Sequence, residues 1–349
     1  LYISEELNTL YFYSRSRYTV EQHPLSSELD TYRSDLMKLN DWAMSCSAIG
    51  SNTAYQVLSD EQSRVNAIRH SVNVELDDWI HNFAYNFQFM PKRKSGWDEM
   101  VIKESAIVVG AGPSLTDDQL LALDGYEGTV ICVNKSLDRM YSLGLVPDWA
   151  IMLHTTDEIL PHFTTPAVRE NLHRSNVILS SIGHPSVTDE VLAHANPERT
   201  FWYNPSIPSC FAPNVDRMMA VMTNEIVVDT GGNVGIWGLV LANIMKAKKV
   251  GLLGMEHCHD ITKVTGWDNE KAATYDYQWA PEDDQVYCLT PMFKAYLLGL
   301  VNFINRVREE TEVYNLTPFG PMYAQRNIHN EEFHGVPYLT PQEFVRRFS

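Results

Sequence analysis

A glycine-rich turn follows a run of β-branched residues about a third of the way along the chain. The segment reads Ile107-Val108-Val109-Gly110-Ala111-Gly112-Pro113-Ser114, which predicts a buried strand, a tight turn and the start of a helix. Because glycine has no Cβ atom, the backbone at this turn can approach a ligand closely. Free backbone N–H groups and the helix dipole then favour a phosphate or a carboxylate. We therefore expect an anion site, part of a nucleotide site, at Gly110, Ala111, Gly112, Pro113 and Ser114.

This turn belongs to neither of the two common nucleotide motifs. A Walker loop requires Gly-Lys-Ser/Thr after the turn, and a dinucleotide fingerprint requires a third glycine, whereas Leu115 follows Ser114 here. The sequence thus predicts a nucleotide site of another kind.

A second glycine turn precedes another helical segment. Thr230-Gly231-Gly232-Asn233 leads into an apolar run that begins at Val234. Backbone N–H groups at such a helix start can hold an anion. We expect Gly231, Gly232 and Asn233 to contact the ligand, and the alternative is a turn that only starts the helix.

The densest cluster of ionisable side chains is Glu256-His257-Cys258-His259-Asp260. On an extended segment, alternating histidines point the same way, so they can bind a divalent metal or act as an acid–base pair. We expect Glu256 and His257 to be catalytic, whereas solvated loop side chains are the alternative.

Two further ionisable residues, His154 and Asp157, follow the predicted strand Trp149–Leu153. A carboxylate there can hold Mg²⁺ against phosphates, and a histidine can act as a general base. Both are catalytic candidates, against the alternative of a loop histidine and an acidic residue at a helix start.

Alternating strands and helices position these residues. The predicted strands are Ala106–Val109, Val130–Val133, Trp149–Leu153, Val177–Ser180, Thr200–Tyr203, Ile226–Val228, Val250–Leu253 and a short one around 313–314. Helical patterns lie between several of them, and a longer one spans Pro291–Arg308. This alternation predicts an α/β fold with a Rossmann-like, mostly parallel sheet flanked by helices. Ligands bind such sheets at the carboxyl ends of the strands, where all the candidate residues fall.

The first hundred residues have a different pattern, which predicts a helical N-terminal region. Apolar residues recur there at helical spacing, as between Leu29 and Trp42, and a basic segment at 91–96 marks a boundary. We expect a helical region over 1–100 and a nucleotide-binding domain over 101–349. An inserted, aromatic-rich loop is expected at about 257–289.

The composition limits the function classes. The 349 residues carry a net charge of −17, which disfavours nucleic acids and anionic lipids as partners. The five cysteines are scattered without a C-x-x-C pair, which is typical of a reducing, cytoplasmic setting. No apolar run reaches the roughly 18–20 residues that a membrane span requires.

Four strand ends together resemble a known family. They are Gly110-Ala111-Gly112-Pro113-Ser114-Leu115, Val133-Asn134-Lys135 with Pro147-Asp148-Trp149, Thr230-Gly231-Gly232-Asn233-Val234, and Gly251-Leu252-Leu253-Gly254-Met255-Glu256. In this order they look like the MptE-like 6-hydroxymethylpterin diphosphokinase family. That family includes the motility-associated flagellin glycosyltransferases and is similar in pattern to bacterial CMP-sialic acid sialyltransferases. The resemblance covers about 105–320.

The resemblance implies a domain that binds ATP or a CMP-sugar, with Asn134 near the base or sugar and Asn315 at the nucleotide site. The leading function is glycosyl transfer from a CMP-activated sugar. The alternatives are ATP- and Mg²⁺-dependent pyrophosphoryl transfer to 6-hydroxymethyl-dihydropterin, and a non-catalytic nucleotide-binding protein. Glu256 and His154 stand where relatives commonly have Asp, which keeps the last alternative open. The expected partners are the nucleotide donor and a protein or glycan acceptor, with a homodimer also open.

Overall fold

The computed structural model describes residues 2–3, 9–13, 20–24, 75–91, 95–206, 215–260, 277–279, 287–289, 291–324 and 335–349. The chain divides into two compact units, one of residues 1–61 with 279–286 and one of 62–278 with 287–349. The candidate site lies in the second unit.

In the first unit, three short strands form an antiparallel sheet. Strand β2 (Thr9–Tyr13) pairs with β1 (Tyr2–Ile3) on one side and β3 (Val20–Pro24) on the other. This differs from the helical structure expected for the start of the chain. The difference has a local cause, because Thr9-Leu10-Tyr11-Phe12-Tyr13 is rich in aromatic and β-branched residues, which favour strands.

Within the region predicted to be helical, residues 75–86 form helix α1. The helical pattern noted between Leu29 and Trp42 lies outside the described residues. The boundary expected near residue 100 stays a prediction.

An eight-stranded parallel sheet forms the centre of the second unit, which confirms the predicted Rossmann-like α/β fold. Its strands are β4 (Ser105–Val109), β5 (Thr129–Val133), β6 (Trp149–Ile151), β7 (Asn176–Ser180), β8 (Thr200–Pro205), β9 (Val227–Val228), β10 (Lys249–Leu253) and β14 (Glu312–Asn315). Their order is β14-β10-β4-β5-β6-β7-β8-β9, and each adjacent pair is parallel.

Helices lie between and after these strands, several of them where the sequence predicts a helical pattern. They are α2 (Asp117–Leu121), α3 (Asn134–Ser142), α4 (Pro166–Asn171), α5 (Pro185–His194), α6 (Val215–Thr223), α7 (Val234–Ile244), α8 (Pro291–Val307), α9 (Pro321–Ala324) and α10 (Pro341–Phe348). Short 3₁₀ segments occur at Trp97–Glu99, Asp157–His162, Leu172–Arg174 and Pro197–Arg199.

Both faces of the sheet are covered. Ile107 and Val109 of β4 belong to the core cluster that contains Leu137 of α3. Val108, which points to the opposite face because side chains alternate along a strand, lies against Gly238 of α7. The five residues of β4 are accordingly all buried.

The strand order reverses between β4 and β10. The chain runs from β4 through β5 to β9 on one side and returns to β10 on the other side of β4. Ligands in open α/β sheets bind outside the carboxyl ends of the strands at such a switch point. The loops after β4 and β10 carry the first glycine turn and Glu256.

The helix after the first glycine turn begins later than the sequence indicated. Helix α2 starts at Asp117, after a capping box in which Thr116 and Gln119 bond to each other's backbone N–H. Pro113 and Ser114 lie in a turn before it. The expected helix dipole at Pro113 is therefore absent, because Thr116 caps a helix that starts four residues further on, at Asp117.

Part of the predicted inserted loop forms strands. Strand β11 (His259–Asp260) pairs antiparallel with β13 (Tyr287–Leu289), and β12 spans Tyr277–Trp279. The other residues from 261 to 286 lie outside the described part of the chain. None of the described helices has the length and apolar character needed to cross a bilayer.

Candidate functional site

The first glycine turn is bonded to the end of β10. The Gly110 N–H donates to the Leu253 carbonyl at 2.7 Å, and the Gly112 N–H donates to the Gly254 carbonyl at 2.8 Å. A Cβ atom at Gly110 would lie 2.3 Å from the Gly254 oxygen. The two glycines therefore allow the backbones of the loops after β4 and β10 to touch.

The side chain of Glu256 occupies this turn. One carboxylate oxygen accepts hydrogen bonds from the backbone N–H of Ser114, at 2.8 Å, and from the Ser114 hydroxyl. A Cβ atom at Gly112 would lie only 1.9 Å from the other oxygen, so the carboxylate rests directly on that glycine. The N–H groups of Gly110, Gly112 and Ser114 were expected to be free for a ligand. They are instead bonded within the chain, those of Gly110 and Gly112 to the carbonyls of Leu253 and Gly254 and that of Ser114 to the Glu256 carboxylate.

Asn134 presents a different kind of site at the start of α3. Its side chain is fully buried, and neither polar atom of its amide has a hydrogen-bond partner among the described residues. It lies beside the first turn, since the hydroxyl of Ser136 donates to the Gly110 carbonyl at 2.6 Å. No side chain caps the helix at Val133. The first N–H groups of an α-helix have no partner within the helix, so this end of α3 offers donors to a ligand.

His154 lies just past β6, near α3. Burial lowers the pKa of His154 to about 4, and the charges of Lys135 and His162 act in the same direction. The imidazole is therefore neutral at pH 7, with an unprotonated nitrogen. Asp157 is exposed at the start of the following 3₁₀ segment.

The second glycine turn forms the start of α7. Gly231 and Gly232 have φ values of 61° and 73°, in the left-handed region that favours glycine. Asn233 caps the helix, because its side-chain oxygen accepts from the N–H of Gly235 at 2.8 Å. Asn233, predicted to contact a nucleotide, thus has a structural role through that oxygen.

His257 adopts a strained backbone conformation next to this second turn. Its φ of 49° is unusual for a residue other than glycine, and such strain clusters at functional sites. Its Nε2 atom is buried without a hydrogen-bond partner among the described residues. Burial lowers the pKa of His257 to about 4. Its ring lies 6.3 Å from the ring of Tyr296, which also faces Gly232.

Asn315 closes a turn of its own segment. Its amide donates to the Thr317 carbonyl at 2.9 Å, and its side-chain oxygen accepts from the Thr317 N–H at 3.0 Å. The Thr317 hydroxyl in turn accepts from the Gly254 N–H at 2.8 Å. These amide atoms therefore support the loop after β10, and the nucleotide contact at Asn315 stays a prediction.

The structure brings most predicted site residues to one edge of the sheet, in two groups. Glu256 and Asn134 flank the first turn, and His257 lies by the second. The side chain of Met255 lies between the two groups. It packs beside Gly110 of the first turn and beside Gly235, which follows the second turn in α7. Asp157 lies apart from the Glu256 carboxylate, since β6 and β10 are three positions apart in the sheet, roughly 14 Å at about 4.8 Å per strand.

Three residues at this edge were not predicted from the sequence. Ser136 and Tyr296 were assigned only to helical patterns, and Met255 only to a family motif. Spacing alone gives no signal for them, because each meets its neighbours through the sheet order.

In the described part of the chain, no three His, Cys, Asp or Glu side chains are grouped as a metal site would require. His259 and Asp260 form β11, and their side chains lie outside the described residues.

A shallow groove of about 670 Å³ lies at the opposite edge of the sheet. It is lined by residues that precede the strands, including Lys103, Gly128 and Asp148. The Asp148 carboxylate accepts from the Val130 N–H at 2.8 Å and so supports the start of β5. None of the predicted site residues lines this groove.

Comparison with known proteins identifies a family and a similar solved structure. The profile of the family described as 6-hydroxymethylpterin diphosphokinase MptE-like matches residues 78–262, more than half of the chain. No curated protein sequence matches significantly. Among solved structures, a MAf glycosyltransferase from Magnetospirillum magneticum AMB-1 is similar, with 16% identity and a TM-score of 0.48. That match covers 74% of this chain and 38% of the glycosyltransferase, so this chain spans less than two fifths of that protein's length.

Proposed function

This chain belongs to the MptE-like family, and we propose that it is a nucleotide-dependent transferase that binds its donor at the carboxyl ends of β4, β5 and β10. The family's description names a diphosphokinase, which is a transferase, and membership of this family therefore supports a transferase role. The observation that carries the nucleotide site is Asn134, a fully buried amide with no partner among the described residues, at the edge of the sheet where such folds bind ligands. A buried polar group of this kind is costly unless a ligand or water satisfies it.

The donor phosphate binds at the start of α3 in this proposal. The carboxylate of Glu256 already occupies the first glycine turn, and it repels a second anion there. The N-terminal end of α3 is the better anion site. It combines the N–H groups that have no partner within a helix, the positive end of the helix dipole and the exposed Lys135. The glycine turn then shapes the wall of the pocket instead of holding the phosphate.

Glycosyl transfer from a CMP-activated sugar is the leading reaction. The acceptor oxygen bonds to the anomeric carbon, the bond from that carbon to the phosphate oxygen breaks, and CMP leaves with the electron pair. His257 or His154 takes the acceptor proton, since burial keeps both imidazoles neutral at pH 7. The N-terminal end of α3 stabilises the charge on the departing phosphate. The acceptor is then a glycan or a protein hydroxyl.

Pyrophosphoryl transfer from ATP to 6-hydroxymethyl-dihydropterin is the second candidate, favoured by the description of the family. Mg²⁺ would neutralise phosphate charge in that reaction. Asp157, exposed beyond β6, is the free carboxylate for it, whereas one oxygen of Glu256 is committed to Ser114. A non-catalytic nucleotide-binding protein is the third candidate. It is supported by Glu256 and His154, which stand where relatives commonly have Asp.

A binding and product assay distinguishes these candidates. Thermal shifts are measured with CMP, CDP, UDP, GDP, ATP and NAD, each with and without Mg²⁺. Binding at one hundred times Kd adds about 2.7 kcal/mol to the stability. A response to CMP without metal, with release of CMP from a CMP-sugar, supports glycosyl transfer; an ATP response that needs Mg²⁺, with AMP formed when the pterin is added, supports the diphosphokinase. Binding without turnover supports the third candidate, and no response to any nucleotide contradicts the proposal.

A further inference from the structure

Helix α1 contacts the loops that carry the candidate site. It spans residues 75–86 and so precedes the sheet in the chain. Two asparagines on its buried face, Asn82 and Asn86, are 3% and 0% exposed. Buried amides at spacing four on one helix face are unusual in a helix that only packs through apolar contacts. Both have identified partners.

The Asn82 amide bridges the loops after two neighbouring strands. Its nitrogen donates to the Thr155 carbonyl after β6, at 2.9 Å, and to the Ile182 carbonyl after β7, at 3.1 Å. One amide group therefore uses both of its N–H bonds to fix the separation of these loops.

The other contacts of α1 reinforce this link. The Asn86 amide donates to the carbonyls of Ser181 and Gly183, at 3.1 and 2.7 Å. Glu75 accepts from the Thr155 hydroxyl at 3.0 Å. Thr155 is thus held by α1 at both its carbonyl and its hydroxyl.

These contacts bear directly on His154. The residue adjoins Thr155, and its own carbonyl accepts from the His184 N–H at 3.2 Å, across the two loops that Asn82 bridges. If the loops separate, both the Asn82 bridge and this bond are lost. The position of the His154 ring therefore depends on α1, although α1 lies outside the sheet.

We propose that Asn82 is a positioning residue, which holds the loop bearing His154 against the loop after β7 and so sets where a proton-accepting imidazole meets the acceptor. This inference rests on the proposed function, because it gives His154 a place at the reacting hydroxyl. It extends the site to a helix that precedes the predicted nucleotide-binding domain. The family match begins at residue 78 and so includes most of this helix.

The test compares matched alanine variants of adjacent residues on α1. Asn82→Ala removes the bridge, and His81→Ala changes an exposed residue of the same helix turn. Hydrogen exchange of the ligand-free protein is measured over residues 152–156 and 180–184, with β4 and β5 as internal references. We expect exchange at least tenfold faster in both loops of Asn82→Ala, with the reference strands and the His81→Ala protein unchanged. Asn82→Asp, which keeps the size and loses the donors, repeats the measurement if the alanine variant does not fold.

Turnover and donor binding are then measured on the same proteins. A positioning role predicts that kcat falls at least tenfold in Asn82→Ala while the donor Kd changes less than twofold. Unchanged loop exchange overturns the inference whatever the nucleotide does, and so does faster exchange with normal kcat. If the wild-type protein binds no nucleotide, the proposed function itself fails. Faster loop exchange in that case leaves Asn82 as a residue that only holds the loops, which also overturns the inference.

Discussion

The Glu256 carboxylate accepts hydrogen bonds from both the backbone N–H and the hydroxyl of Ser114, and it lies against Gly112. Glu256 is 1% exposed, and the two bonded residues are 142 positions apart in the chain. A glycine turn whose composition indicates an anion site thus contains an acidic side chain of the protein itself. The pair joins the loops after β4 and β10, so it fixes the wall of the proposed nucleotide site.

The first prediction concerns the stability that Glu256 contributes. Glu256→Ala leaves the Ser114 N–H without its charged acceptor, and a hydrogen bond to a charged group contributes about 1.5–3 kcal/mol. We expect the free energy of unfolding, measured by urea denaturation, to fall by roughly that amount. Glu256→Gln should lose less, because its amide oxygen can still accept. Glu309→Gln, at an exposed position, serves as the control.

If Glu256→Ala remains within about 0.5 kcal/mol of the wild type, as an ordinary surface substitution does, the pair does not stabilise the loops.

The second prediction concerns the space at Gly112. A methyl group there meets the Glu256 carboxylate at 1.9 Å, whereas at Gly299, inside α8, the nearest atom is 3.6 Å away. Gly112→Ala should lower the free energy of unfolding by about 1–3 kcal/mol, as overpacking does. Gly299→Ala should be neutral or stabilise by up to about 1 kcal/mol, because alanine favours helices. Equal effects in thermal or urea unfolding would show that Glu256 does not occupy the turn.

The third prediction contrasts two buried asparagines. Asn134 has no partner for its amide among the described residues, whereas the Asn315 amide makes two bonds to Thr317. Asn134→Leu should therefore raise the free energy of unfolding of the ligand-free protein, by about 1 kcal/mol, and abolish nucleotide binding. Asn315→Leu should lower it by about 1–3 kcal/mol. A destabilised Asn134→Leu protein that still binds nucleotide contradicts the role given to Asn134.

The fourth prediction is a loss of stability in mild acid. His154 and His257 have pKa values of about 4 in the folded protein, below their ordinary value of 6.5. Between pH 6.5 and about 4 the unfolded chain binds more protons at these residues than the folded chain does, so the free energy of unfolding falls as the pH falls. Each histidine contributes up to about 1.4 kcal/mol per pH unit in this window.

Urea denaturation at several pH values measures this slope. The double variant His154→Gln, His257→Gln should have a smaller slope between pH 6.5 and 4 than the wild type. A variant with the wild-type slope would place the responsible groups elsewhere.

The sheet was predictable because its signals are local. Each strand from β4 to β10 is a short apolar run, and each glycine turn is visible within a few residues of a strand end. Local composition also explains the strand at Thr9–Tyr13, which lies in a region predicted to be helical. That prediction was based on helical spacing further along the chain, whereas the composition of this segment favours a strand.

The contacts within the site were less predictable, because they depend on the strand order. That Glu256 reaches Ser114 follows only once β10 pairs with β4, with Leu253 beside Val109. The bond from Asn82 to Ile182 spans 100 positions, and nothing in the local sequence near Asn82 indicates it.

Mapping of nucleotide binding by hydrogen exchange tests the central claim most directly. Exchange is compared in the wild-type protein with and without the nucleotide that gives the largest thermal shift, and with Asn134→Leu as the control. The account predicts slower exchange over 110–116 and 134–140, no change over 123–128 at the opposite groove, and no effect in Asn134→Leu. Protection confined to the groove around 123–128, or none at either edge at saturating nucleotide, would contradict a nucleotide site at the carboxyl ends of these strands.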